Sequence, residues 1–239
     1  MRYLIKIGYD GSKYNGFQRL NDLPSVQKEI EVALKKIFKE EVFIKGAGRT
    51  DQGVHAYAQM AHFDTNININ PESLKSALNR LLNNYIHIYE CKLVDEEFHA
   101  RFSVKKKTYE YRINLGEFDP LLEDYMFQVK YDLDIALMKK ASKIYLGIHD
   151  FENFVSGHRE NYNAIIYNIN FKKVKNILSI EFVGQSFYRY MVRSLVGALL
   201  DVGRGKISID DLKKSLDKKT NKRFYIAPPG GLYLTDIKY

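Results

Sequence analysis

One arginine and one carboxylate stand two residues apart inside a glycine-rich loop. The stretch G-A-G-R-T-D-Q-G-V-H-A at 46–56 holds Arg49 and Asp51 among Gly46, Gly48 and Gly53. Three glycines in so short a span permit a backbone that bends sharply or approaches another molecule closely. If the two side chains converge, the cation favours the ionised carboxylate. An ionised Asp suits a nucleophile or an electrostatic anchor better than a general acid. The same residue types also make an ordinary hairpin-type loop whose Asp caps its own turn.

Other chemistries fit the residues less well. His55, His62, His87, His99, His149 and His158 have no helical i, i+4 pairing with a nearby carboxylate, so no metal site is expected. Cys91 is the single cysteine, which leaves no intrachain disulfide and no four-cysteine zinc site. Gly205-Lys206 is followed by Ile207, and Leu200 stands where a phosphate loop needs its first glycine. The start of a dinucleotide fingerprint at Gly46 and Gly48 meets Asp51 in place of the third glycine, and an acidic side chain there repels a pyrophosphate. A G-x-S-x-G elbow is absent.

The elements that must position the Asp51 loop can be read from periodicity. Tyr3, Ile5, Ile7 and Tyr9 alternate as a strand. A glycine-, aromatic- and lysine-bearing loop follows at 10–20. Ser25 then opens a helix with Val26, Ile30, Ala33, Leu34 and Ile37 on its core face. Apolar runs at 42–44 and 56–63 predict strands on either side of the loop. Asn70-Pro71 starts a second helix with Leu74, Ala77, Leu78, Leu81 and Leu82 inward, and 86–93 predicts another strand. The first hundred residues therefore give β-α-β-β-α-β.

Residues 98–107 look like a hinge. Beyond it, strands are predicted at 108–113, 165–174 and 178–183, with 149–154 between them as a loop. A helix is expected over 134–145, closed by Gly147, and another over 186–197 with Met191, Leu195, Val196 and Leu199 inward. Ser208 and Asp211 have capping-box spacing, and a turn at 227–231 leads to a final strand. The domain reading is an N-terminal α+β half at 1–103 carrying the Asp loop and a C-terminal α+β half at 104–239. The two are expected to share topology and one sheet, with a basic cleft between them.

The chain has 239 residues, 45% hydrophobic and 28% charged, with 37 Lys and Arg against 29 Asp and Glu, a net charge of +8. That balance is globular, and its sign points to a polyanionic partner, nucleic acid first. Eighteen Tyr and fourteen Phe with no Trp supply flat faces for base stacking as well as core. The N-terminus has no signal-peptide apolar core, and no apolar run approaches membrane-spanning length; a soluble cytoplasmic protein with no membrane association is the expectation.

The loop at 46–56 closely resembles the catalytic loop of the tRNA pseudouridine synthase A (TruA) family. Further matches follow in the family's order: F-H-A-R-F-S at 98–103, Y-E-Y-R-I at 109–113, H-D-F-x-x-F at 149–154, M-V-R-x-x-V-G at 191–197 and A-P-P-x-G-L-Y-L at 227–234. They span nearly the whole chain. Two departures are Phe17, where the family favours Trp in G-W-Q, and Val155-Ser156-Gly157 after Phe154; both bear on RNA contacts.

The resemblance implies an α+β fold of two related halves forming an extended, mostly antiparallel sheet flanked by helices. It also implies isomerisation of uridine to pseudouridine in the tRNA anticodon stem-loop, at positions thirty-eight to forty, with no cofactor and no metal. By carry-over Asp51 is the nucleophile or covalent catalyst. Tyr109 stacks on or holds the target base, Arg193 pairs with Asp51, and Arg49 helps extrude the nucleotide or hold its phosphate. The family pattern is a homodimer with tRNA contacted by both subunits. Two other readings use the same residues. One is an RNA clamp without activity, to which an acidic side chain facing phosphates adds little. The other is a phosphotransferase with Asp51 as acceptor, which needs magnesium ligands not seen beside it.

Overall fold

The computed structural model describes residues 1–20, 23–220 and 223–239. In chain order its first elements are β1 (Arg2–Tyr9), α1 (Val26–Phe38), β2 (Lys45–Gly46), β3 (His55–Asp64), α2 (Pro71–Leu81) and β4 (Ile86–Val94). They are followed by β5 (Lys106–Asn114), β6 (Phe127–Gln128), α3 (Ile135–Ser142), β7 (Gly147–Asp150), β8 (Asn163–Val174), β9 (Ile177–Gly184), α4 (Met191–Gly203), α5 (Ile209–Leu216) and β10 (Leu232–Lys238). The chain divides into two compact units, Met1–Lys105 with Tyr233–Tyr239, and Lys106–Leu232. Each is α+β with mostly antiparallel strands, the class read from the sequence.

In the first unit the strand order is β4-β1-β3-β10, with the short β2 also paired to β3. The pairs β1–β3, β1–β4 and β2–β3 are antiparallel, and β10 lies parallel to β3 with Tyr233 opposite His55. The alternation of β1 leaves Tyr3, Ile5 and Ile7 with no exposed surface. Each such side chain contributes about 1.5–3 kcal/mol by leaving water. Ser25 caps α1 by accepting from Lys28 N–H, and Asn70 caps α2 with Pro71 as first helical residue. Both are the signals the sequence carries.

Two expectations in this unit are corrected. Residues 42–44 are not a strand, although Val42 and Ile44 are buried and Phe43 is exposed. The reason lies in α1: Glu31 accepts from Ile44 N–H and Gln27 donates to Ile44 O, so helix side chains take the bonds a partner strand would use. Leu81 is 44% exposed; the buried row of α2 runs through Leu74 and Leu78, four apart, and continues at Leu82.

The second unit orders its strands β5-β9-β8-β7, all antiparallel, with β6 parallel to β5. α3 packs on α4, and α5 opens with the expected capping box of Ser208 and Asp211. Gly147, at φ +97°, ends the helical run after a 3₁₀ turn at Lys143–Tyr145. Two further boundaries differ. His149 and Asp150 belong to β7, paired with Ala164 and Asn163. The helix expected from 186 begins at Met191, because Tyr190 sits in the left-handed region at φ 62° and breaks the helical path before it.

Candidate active site

The Asp51 loop is tied down at close intervals. Ala47 N–H donates to Met60 O at 2.7 Å, the Gln59 amide to Gly48 O at 3.0 Å, and Val54 N–H to Asp51 O at 3.2 Å. The last bond closes a tight turn whose third residue, Gly53, has φ +77°, a conformation glycine adopts at no steric cost. Asp51 is left half-buried and Arg49 exposed.

The loop at 10–20 braces this turn. Phe17 N–H donates to Thr50 O at 3.3 Å and Gly53 N–H to Tyr14 O at 3.4 Å. The Tyr9 hydroxyl lies 2.7 Å from Thr50 Oγ1, buried. Gly16 has φ +94°, and a Cβ there would stand 2.6 Å from Thr50 O. The two loops thus meet backbone to backbone next to the carboxylate. Phe17, the departure from tryptophan, is only 2% exposed, and a Cβ on Gly46 would strike its ring at 2.4 Å. It fills the space behind the loop and presents no face to solvent.

His55 ends the loop and is fixed on two sides. Gly11 N–H donates to its Nδ1 at 3.1 Å, and Asp10 Oδ1 lies 3.3 Å from the same nitrogen. The ring stacks on Tyr233 of β10 at 4.7 Å, and Tyr57 stacks on the same tyrosine at 5.5 Å.

The F-H-A-R-F-S segment is in the same unit. Buried His62 of β3 accepts the Ala100 N–H at Nδ1, 3.1 Å, while its Nε2 has no partner among the described residues. Burial, with His99 beside it, pushes the His62 pKa down to about 4. The Tyr239 hydroxyl donates to Ala100 O at 3.0 Å, and Arg2 donates to Phe98 O at 2.8 Å while pairing with Asp64.

In the second unit Tyr109 lies on β5, 8% exposed, with Phe187 edge-on at 5.3 Å. Tyr111, two residues on, is fully buried, and its hydroxyl donates to Pro228 O at 2.8 Å. Arg193, in the first turn of α4, donates from Nε to Ala227 O at 2.6 Å, and Ala227 N–H donates back to Arg193 O at 3.1 Å. Its guanidinium sits over the Tyr190 ring, 5.0 Å from the centroid. A Cβ on Gly197 would stand 1.7 Å from Tyr225 O. Two motifs far apart in sequence, at 191–197 and 227–234, are therefore one contact, and the glycine is what lets the segment pass so close to the helix.

Sequence reasoning missed the strained Tyr190, the Tyr9–Thr50 contact and the role of Gly16. The only signal available was the unusual crowding of glycine and aromatic residues at 8–17.

The family model for tRNA pseudouridine synthases matches residues 6–103 and 141–239. A relative from Finegoldia magna named tRNA pseudouridine synthase A is 42% identical over 98% of both chains. One of the same name from Pseudothermotoga lettingae is 38% identical over 100% of this chain and 99% of its own, and one from Listeria monocytogenes serotype 4a is 40% identical over the same shares. Matches of this identity run along the full length of the chain, and the chain belongs to the tRNA pseudouridine synthase A family.

Proposed function

We propose that this protein converts uridine to pseudouridine in the anticodon stem-loop of tRNA, at positions thirty-eight to forty, with Asp51 as the catalytic nucleophile. Family membership supports the coarser statement, an isomerase acting on tRNA uridine. The observation that carries the finer one is the placement of Asp51, half-buried as the first residue of a turn that Phe17 and Tyr14 of the loop at 10–20 hold at Thr50 and Gly53, on either side of it.

The reaction gains and loses no atoms overall. The bond from N1 of the base to the ribose anomeric carbon breaks, the base turns, and C5 forms the new bond while its proton leaves and N1 ends as N–H. A carboxylate held in one position serves such a sequence as a covalent partner for the separated fragments. Exposed Arg49 is proposed to hold the phosphate of the flipped nucleotide, Tyr109 to stack on or hold the base, and Arg193 to bind substrate. Flipping costs roughly a few kcal/mol, and a ring with a cation recovers part of it. A homodimer acting in the cytoplasm completes the proposal, with tRNA as the partner; among the described residues no helix is long and apolar enough to cross a membrane.

The test is pseudouridine mapping on unmodified tRNA incubated with the protein in the presence of chelator. Wild type should place pseudouridine in the anticodon arm. Asp51→Asn should place none while binding tRNA with an affinity within a few-fold of wild type. Turnover by Asp51→Asn near the wild-type rate rejects the nucleophile; tRNA binding without any pseudouridine from wild type favours a clamp.

A further inference from the structure

We infer that Phe102 is a stacking platform for an unpaired nucleobase of the RNA substrate, with Arg101 beside it for an adjoining phosphate; the identity of that substrate rests on the reading above. Phe102 is 77% exposed. Single exposed apolar residues are ordinary on protein surfaces, so exposure alone argues nothing. The unusual feature is how firmly its backbone is held.

Arg101 N–H and Phe102 N–H both point at His99 Nδ1, at 3.1 and 3.4 Å. Ser103 N–H donates to His99 O at 2.9 Å, and His99 N–H to Ser103 Oγ at 3.1 Å. Within the same turn, Ala100 is clamped by His62 and by Tyr239. The turn is thus fixed at every residue from 99 to 103, yet the one large apolar side chain on it is directed to solvent. The Phe102 ring lies 4.3 Å from the His99 ring, tilted by 32°, and the Arg101 guanidinium is 5.7 Å from its centroid.

Cationic side chains stand nearby: after burial, the charges of Lys45, Arg2 and Arg101 hold the His99 pKa down. Arg2 is paired with Asp64, whereas Lys45 and Arg101 are exposed. A flat, apolar face on a firmly held turn, with the exposed Arg101 beside it, fits a polyanion that also carries flat rings. RNA has both features, an unpaired base for the ring and a phosphate for the cation. An acidic polypeptide matches the charge but leaves the ring without a partner.

The chain has no tryptophan, so Phe102→Trp gives a single fluorophore at this site. Titrating that variant with unmodified tRNA should quench and shift its emission, with affinity no weaker than wild type. Phe102→Ala and Phe102→Leu should each weaken tRNA binding roughly ten-fold with unchanged melting curves and an unchanged salt slope, since stacking neutralises no phosphate. Arg101→Ala should instead flatten the slope. The inference is overturned if the Trp emission stays constant while tRNA binds, if Phe102→Ala keeps wild-type affinity, or if polyglutamate quenches as strongly as tRNA. These readouts use binding alone. Failure of wild type to make pseudouridine would reject the proposed reaction and leave the platform untouched, and loss of the platform would leave the reaction standing.

Discussion

Tyr9 Oη and Thr50 Oγ1 are 2.7 Å apart in a buried position, which joins the last residue of β1 to the residue before Asp51. Burial raises the Tyr9 pKa well above the usual phenol range, so the phenol stays protonated, available as donor or acceptor, at any working pH. Tyr9→Phe leaves the Thr50 hydroxyl without its partner and should cost about 1–3 kcal/mol. Thr50→Val should cost a similar amount, and the double variant less than the sum. A double-mutant cycle in urea checks this, and a coupling near zero would mean that the contact does not hold the loop.

Gly16 and Gly157 have nearly the same backbone, φ +94° and +93°, but different surroundings. A Cβ on Gly16 meets Thr50 O at 2.6 Å, whereas one on Gly157 meets nothing within 4 Å. Both alanine variants carry the left-handed strain, about 1 kcal/mol or more. Only Gly16→Ala should also displace the Asp51 turn, so it should unfold at lower temperature than Gly157→Ala and lose turnover at least ten-fold. Equal melting points and equal turnover would contradict the backbone contact.

Lys105 is exposed, and Lys106 and Lys107 are half-buried. Replacing all three by Ala should weaken tRNA binding. The slope of log Kd against log salt should fall by roughly 0.7–0.9 for each phosphate that is no longer neutralised. Binding isotherms at several salt concentrations give the slope directly, and an unaltered slope would mean that RNA phosphates lie elsewhere.

Acid should weaken the fold through His62. Its pKa is lowered by burial first, then by His99, Arg2 and Lys45, with Asp64 opposing, from 6.5 to about 4. The unfolded chain therefore binds the proton more readily than the fold does. Stability is whole above about 6.5, falls as pH drops, and levels off below about 4, with a span of up to ~3 kcal/mol. His62→Asn places an Oδ1 where Nδ1 accepts the Ala100 N–H, so its stability should change less between those two pH values than that of wild type. Urea titrations at both pH values check this, and an equal change in the two proteins would place the acid sensitivity elsewhere.

The parts of the fold set by local pattern were legible in the sequence. Ser25, Asn70 and Ser208 cap their helices as their types suggest, and the alternation of β1 and β5 gives their buried faces. What misled was pattern without partner. Residues 42–44 alternate like a strand, but Gln27 and Glu31 of α1 take their backbone bonds, and no local signal reports that. The Asp51 loop was legible from glycine spacing and from the family's motif. Its bracing by Tyr9, Tyr14 and Phe17, and the reciprocal bonds of Arg193 with Ala227, are contacts of long sequence separation that periodicity does not encode.

The parallel pairing of β10 with β3 has a consequence for how the protein comes into being. β10 follows the whole of the second unit in the chain, yet Tyr233 stacks on His55 and Tyr57 at the edge of the Asp51 loop. During synthesis, which runs from N- to C-terminus, β3 and the Asp51 loop are made long before residue 233. The bonds that Tyr9, Tyr14, Phe17, Gln59 and Met60 give the loop can form first. The stack of Tyr233 on His55 and Tyr57 is added last.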